Sequence, residues 1–328
     1  MADGLSGTVD LAVPLARLAQ GVAGQSYPAG ALYVVATPIG NLGDLSVRAV
    51  HVLGLVDAVA CEDTRVSGQM LSRLGLSRPL LSLHQHNEQH MAAEIVGRLQ
   101  AGQRIAYVSD AGTPGISDPG ARLAHGVRAA GLKVVPLPGP STVVSLLSVA
   151  GDVQAQGHDF LGFLPSKAVA RRRVLQPLLQ PAATEGPARS LVLFEAPHRM
   201  AELLADLAEL APQRQLTLGR ELTKQFEQIV SMPAAEAPSW LAAHADHGRG
   251  EFAVVIHAEA APARVDEALP PEAERWLRVL LTELPVKQAS SLAAQALGLP
   301  RKQLYRHALA LQGSGPSDDG DPEPAMPD

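Results

Sequence analysis

The chain has 328 residues, 46% apolar and 18% charged, enough for two ordinary domains and well outside the disordered class. No run of eighteen apolar residues occurs, which excludes a helical membrane span, and 3% aromatic residues excludes broad stacking on bases or sugars as the main binding device. The net charge of −6 argues against a strongly basic nucleic-acid binder. Five acids of that total, however, lie in the tail from Gly313. Residues 1–30 add two acids against one base, so residues 31–312 are balanced. A single cysteine, Cys61, excludes an internal disulfide and any cysteine-based metal cluster, and it fits a reducing cytosol.

Residues 1–30 have no basic segment ahead of an apolar core, and Pro14 interrupts their apolar stretch. They are expected to form a flexible extension rather than a signal peptide. From Ala31 to Leu137, short apolar runs alternate with amphipathic helices. Strands are predicted at 31–36, 57–61, 104–109 and 132–137, and helices at 44–55 (capped by Asp44), 65–74, 88–100 and 119–130. This alternation predicts a mostly parallel sheet covered on both faces. Beyond Gly151 the strands come closer together, at 160–163, 190–194, 215–218, 228–231 and 252–258, with helices at 167–180, 198–210 and 234–247. That spacing predicts a second α/β layer with more antiparallel pairing. Ala260 to Pro271 reads as a linker. Helices at 272–284, 287–297 and 301–311 follow, the last two joined by Gly298-Leu-Pro300 in the outline of a helix-turn-helix. The tail 313–328, rich in Gly, Pro, Ser and acid, reads as disordered. The expected organisation is therefore an extension (1–30), two α/β domains (31–150 and 151–260), a linker with a small helical domain (261–312), and the tail.

Ligands of open α/β sheets bind beyond the carboxyl ends of the strands. Four loops at such ends stand out. Thr37-Pro-Ile-Gly-Asn-Leu-Gly-Asp44 has neither the dinucleotide glycine spacing nor the Lys-Ser/Thr of a P-loop. Alone, it reads as well as a plain turn. Glu62-Asp63-Thr64-Arg65 is either a capped, exposed turn or a polar recognition point at the mouth of a cleft. Ser109 to Gly120 holds three Gly, two Pro and two Asp in twelve residues. A connector this long and shaped suits a ligand with ribose hydroxyls and an amino-acid end. Pro136-Leu-Pro-Gly-Pro-Ser-Thr142 is stiffened by three prolines, and Ser141 or Thr142 can cap the helix that follows. His84, His86 and His90 lie close together but lack an acid partner that would make a convincing metal site, and no metal is expected.

These loops occur in order with further motifs: His86-Asn87-Glu88, Gly162-Phe-Leu-Pro165, Phe194-Glu195 with His198-Arg199, Arg220-Glu-Leu-Thr-Lys224 and Gly250-Glu251. The set resembles the bacterial 16S rRNA (cytidine-1402-2'-O)-methyltransferases, a branch of the tetrapyrrole (corrin/porphyrin) methylase superfamily. The resemblance runs from about Leu32 to Leu311. It departs in small ways, as at Ala196-Pro197, where Ser or Thr is common before the His-Arg pair.

The resemblance implies two α/β domains with S-adenosyl-L-methionine (SAM) in the cleft between them, plus a small helical C-terminal domain. It also implies a cytoplasmic homodimer acting on 16S rRNA of the small ribosomal subunit, with no DNA or membrane partner. Carried over by position, the SAM pocket would use Asp110, Ala111, Gly112 and Thr113, then Ser141 and Thr142. Phe194, Glu195 and Ala196, with Gly250, Glu251 and Phe252, would complete it.

A sugar 2'-hydroxyl is a poor nucleophile until its proton leaves, so a general base is expected. The candidates at the cleft are Glu62, Asp63, Glu195, His198 and Glu221. RNA contact is expected from Lys167, Arg171, Arg172 and Arg173, because cations at a helix start are disfavoured by the helix dipole and need another reason. Lys287, Arg301, Lys302 and Arg306 lie in a stretch without acids, and Arg65, Arg199 and Lys224 complete the basic set. Two alternatives compete with this reading. One is methylation of a small tetrapyrrole. The other is a non-catalytic ribosome-assembly factor, against which the intact third loop speaks.

Overall fold

Apolar runs of three to five residues form the first sheet: β1 (Ala31–Val35), β2 (Ala58–Cys61), β3 (Leu80–Ser82), β4 (Ile105–Val108) and β5 (Lys133–Leu137). Their order is β3-β2-β4-β1-β5, all parallel. The computed structural model describes residues 10–84, 87–180, 187–259 and 269–313, which divide at Ala260 into two compact units. Alternate residues of β1 serve opposite faces. Tyr33 and Val35 pack with Val52 and Leu53 of α2 (Val47–Leu55) and Leu71 of α3 (Thr64–Arg73). Leu32 packs with Ile95 and Leu99 of α4 (Glu88–Gln100) and Leu123 and Val127 of α5 (Ala121–Ala129). This is the period-two pattern of a strand covered on both sides.

The second sheet contains β6 (Gly157–Phe163), β7 (Arg189–Glu195), β8 (Gln215–Arg220), β9 (Gln228–Pro233) and β10 (Phe252–Ile256), ordered β6-β7-β10-β8-β9. Only β6 and β7 pair in parallel; the other three pairings are antiparallel. One face is covered by α7 (Ala168–Leu179) and α8 (Pro197–Leu210), through Leu175 and the row Met200, Leu203, Leu204, Leu207. The other face is covered by α6 (Thr142–Ala150). Its Val143, Leu146 and Ala150 pack on Val192, Ala253 and Val255. By chain order α6 belongs with the first sheet, but its apolar stripe belongs to the second. Residues up to Ala260 form one compact unit that holds both sheets.

The second unit is a bundle of α10 (Pro271–Leu281), α11 (Val286–Leu297) and α12 (Arg301–Gly313) around Leu277, Ala293, Leu304 and Ala308. The expected linker falls largely outside the described residues, as do His86 and the tail beyond 313. Among the described residues, no helix is long and apolar enough to cross a membrane.

Several boundaries differ from the sequence reading. A helix, α1 (Ala12–Ala23), stands where a loose extension is expected. Pro14 is its third residue, and proline is tolerated in a first turn because the N–H it lacks has no partner there. Tyr27 then anchors the segment, its ring 4.9 Å from His51 and its hydroxyl donating to Val22 O. The cap of α2 is Ser46, not Asp44: its Oγ accepts from Ala49 N. The region 234–247 holds a short helix, α9 (Ala237–Ala243), between two 3-10 turns rather than one helix.

Candidate active site

The four loops converge at the carboxyl ends of the first sheet. Loop one is stapled to loop three by a reciprocal backbone pair, Thr37 N to Gly112 O (2.9 Å) and Gly112 N to Thr37 O (3.1 Å). Thr37 Oγ1 also donates to Ser109 O at 3.1 Å. Loop three is tied to loop four by Thr113 Oγ1 donating to Pro140 O at 3.0 Å. Loop two joins them through Asp63 N, which donates to Asp110 Oδ1 at 3.1 Å. Loop three ends at Gly120, with φ +122°. A Cβ there would overlap the Tyr107 ring. Gly120→Ala should therefore cost about 2–4 kcal/mol, from overpacking plus backbone strain, read as a fall in the urea midpoint. Glu88, the described end of its motif, is buried: its Oε1 accepts from Gly120 N (3.0 Å) and Arg122 N (3.1 Å), capping α5 from another element.

Between these loops and the strand ends of the second sheet lies a cavity of about 350 Å³, within the range of small-molecule sites. Of the residues expected at a cofactor pocket, Ala111, Gly112, Thr113, Ser141 and Thr142 line it from the first half. Phe194, Glu195, Ala196, Glu251 and Phe252 line it from the second. Asp110 and Gly250 do not. Asp110 instead takes the Asp63 N–H, and Gly250 lies against Glu221. Ile39, Ile116, Ser117, Asp118 and Phe163 are lining residues beyond that set.

The carboxylates differ sharply. Asp118 lines the cavity and has its pKa pushed up to about 6 by burial, then by the charges of Glu62 and Asp110. Glu62 is itself raised, by burial and then by Asp110, but it does not line the cavity. Asp63 is held down at about 2 by its hydrogen bonds from Arg65, which make it the cap of α3 and a poor base. Burial pushes Glu221 upward, but the Lys224 ammonium and the Glu251 N–H outweigh it and leave it below the usual range. Glu221 therefore organises its loop and is a poor candidate for the base. His198 is exposed on the first turn of α8 and does not line the cavity. Glu195 does line it. Its Oε1 lies 3.1 Å from Arg199 Nε, while its Oε2 is buried with no hydrogen-bond partner among the described residues. Asp118 is the residue that sequence reasoning passed over. The visible signal was a second Asp within one loop; its burial among other acids was not visible.

The basic residues also sort by partner. Arg171 is 1% exposed and donates to Asp206 Oδ2 at 2.6 Å, with Glu202 at 3.2 Å. Arg172 bridges Asp206 and Glu209, both at 2.6 Å. Glu202, Asp206 and Glu209 recur at i, i+4 and i+7 along α8, so an acidic stripe explains the cations at the start of α7. Phosphate contact is not needed to account for Arg171 or Arg172. Arg199 donates to Leu164 O at 2.6 Å besides meeting Glu195, and Lys224 is held by Glu221 and Glu251. Arg65 is exposed but paired with Asp63. Lys167 and Arg173 are exposed without an acid partner among the described residues. Lys287, Arg301, Lys302 and Arg306 are exposed on the helical unit.

Comparison with known proteins places this architecture. A family model described as Tetrapyrrole (Corrin/Porphyrin) Methylases matches residues 31–238, and one described as RsmI C-terminal HTH domain matches residues 267–312. A Neisseria meningitidis serogroup B protein named ribosomal RNA small subunit methyltransferase I is 45% identical over 290 residues, covering 88% of this chain and 96% of that one. The protein of the same name from Pseudomonas aeruginosa is 45% identical over 286 residues, covering 87% and 99%. Among solved structures, cobalt precorrin-4 methyltransferase, a cobalamin biosynthetic enzyme, shares the fold. It aligns with a TM-score of 0.51 at 14% identity, over 71% of this chain and 98% of that one. By its sheets, its cavity loops and these matches, the chain belongs to the tetrapyrrole methylase family, in the branch of the ribosomal RNA small subunit methyltransferase I proteins.

Proposed function

We propose that this chain methylates the ribose 2'-hydroxyl of cytidine 1402 in 16S rRNA of the small ribosomal subunit, using SAM held in the cavity. The observation that carries the reading is the cavity itself: in a chain 45% identical to rRNA methyltransferases, a small-molecule site bounded by both sheets contains a carboxylate poised near neutrality. The lining fits the cofactor. Thr113, Ser141 and Thr142 line it together with apolar Ile39, Leu222 and Phe252, a mixture that suits a molecule with polar ends and a flat purine. The orphaned Glu195 Oε2 supplies an acceptor that a ligand N–H or O–H would satisfy.

Bound SAM supplies a methyl carbon on a sulfonium, an electrophile with a neutral leaving group. The protein's work is to place the hydroxyl in line and remove its proton. Asp118 takes that proton. It lines the cavity, and its pKa near 6 leaves it ionised at neutral pH yet more basic than an ordinary carboxylate. Glu62 and Asp110 act through it, by repulsion. Lys167, Arg173 and the cations of the helical unit meet RNA phosphates. The enzyme acts as a cytoplasmic homodimer, as the family resemblance implies.

Labelled SAM offered to small ribosomal subunits, naked 16S rRNA and uroporphyrinogen separates the readings. Label should enter ribosomal RNA and, after nuclease digestion, remain in one resistant 2'-O-methylated dinucleotide. Label only in the porphyrinogen, or in nothing, would overturn the proposal.

A further inference from the structure

Phe163 is one of five phenylalanines in the chain, and it is 58% exposed on the rim of the cavity. Its position there has to be built. In a regular strand, residues 160 and 163 lie on opposite faces, since side chains alternate with period two. The β6–β7 register shifts between Phe160 and Gly162. Phe160 pairs with Val192, Gly162 with Leu193 and Phe163 with Phe194. The extra residue turns Phe163 onto the face shared by Phe160 and Phe194. Bulges re-aim side chains in this way and are common beside active sites.

Gly162 makes the bulge possible. Its φ of +63° suits glycine, and a Cβ there would stand 3.1 Å from Ser117 Oγ on the third loop. The ring is also braced. Phe194 meets it edge-on at 5.8 Å, and Phe160 in turn braces Phe194 edge-on at 5.0 Å. Three of the five phenylalanines thus form an edge-to-face chain running from half-buried Phe160 to the rim. Ile116, 42% exposed, also lines the cavity, from the third loop beside Ser117. Aromatic residues are scarce in this protein, and a braced, exposed ring at the mouth of a methyl-transfer cavity has no packing role of its own to explain it. An unstacked pyrimidine offers a flat apolar face, and an aromatic ring binds it by stacking, as single-stranded RNA readers do.

We propose that Phe163 is the platform on which the base of the target cytidine stacks, with Ile116 bordering the slot, so that the attached ribose is presented to the cavity. Phe163 is a positioning residue, and its role rests on the RNA 2'-O-methyltransferase reading above. The test compares wild type with Phe163→Leu, Phe163→Tyr and Phe163→Trp, measuring kcat/KM for small ribosomal subunits and SAM affinity by calorimetry. Leucine keeps the bulk and the apolar character but removes the ring face. It should lower kcat/KM for subunits by at least about fivefold, the lower end of base–aromatic stacking. Tyr and Trp should stay within about threefold of wild type, and SAM affinity should change by less than about twofold in all three, as a stack made only with the base requires. Leucine as active as wild type would overturn the proposal. So would weakened SAM binding with subunit kinetics unchanged, which would give the ring to the cofactor. A wild-type enzyme that leaves subunits unmethylated while methylating another substrate would instead overturn the RNA reading, and this inference with it.

Discussion

Asp118→Asn should lower single-turnover methyl transfer by about 10²–10⁴-fold, the span that general-base removal costs, while SAM still binds. The cause is specific to this carboxylate. Among the acids near the cavity, Asp118 both lines it and is raised to about 6. In the wild type, kcat/KM should rise with pH through about 6 and then level off, because the ionised form is the base. Glu62→Gln removes a like charge, so the acid limb should move to lower pH; an unmoved limb would mean that another group titrates. Stability should move the opposite way from activity. The folded carboxyl holds its proton up to about 6, while the unfolded one releases it near 3.8. Across that window the native state binds more protons than the unfolded state, so the stability contributed by this group falls as pH rises and then stays low. Asn never ionises. Asp118→Asn should therefore melt at a higher temperature than wild type at pH 7.5, with the difference shrinking toward pH 4. A variant that is both inactive and less stable at pH 7.5 would point to a structural role instead.

Asp206→Ala should destabilise the protein by about 3–5 kcal/mol, because it strands a buried guanidinium. Asp206 is 3% exposed, and its two oxygens take Arg171 and Arg172 separately, each at 2.6 Å. Without it, Arg171 keeps Glu202, at 3.2 Å, and a long hydrogen bond to Ser166 O, at 3.5 Å. Removing both buried charges should cost less: Arg171→Met with Asp206→Leu fills the space with apolar volume and avoids the orphaned cation. Denaturant midpoints with an unchanged m-value would check both variants. A loss under about 1 kcal/mol for Asp206→Ala would mean that water or Glu202 takes over the pairing. Charge reversal at Arg171 is consequently a test of folding, whereas Arg173, exposed and without an acid partner among the described residues, reports on RNA.

The alternation of the first sheet was legible because four of its five strands are mostly apolar runs of four or five residues and the helices between them carry apolar stripes. β3 was missed for the opposite reason. It is three residues long, lies at the sheet edge and follows Pro79, so its pattern is too short to read. The loops around the cavity were legible because glycine, proline and hydroxyl residues crowd into segments longer than a connector requires. Which of their carboxylates is basic was not legible. A pKa depends on burial and on charges brought together from separate loops, and Asp118, Glu62 and Asp110 meet only in the folded chain. The same limit governed the cations of α7, whose partners on α8 lie more than thirty residues away.

The sequence by itself determined the family, the order of the elements, the loops that surround the cavity and the charge balance of the chain body. These follow from local composition, period and motif, which need no partner elsewhere in the chain. Only the tertiary structure decided that α6 packs on the second sheet, that Arg171 is an interior ion pair, that Glu221 and Asp63 are organisers, and that the bulge in β6 turns Phe163 to the rim. Each of those is set by packing or by the field of distant groups, and neither is encoded in any one stretch of residues.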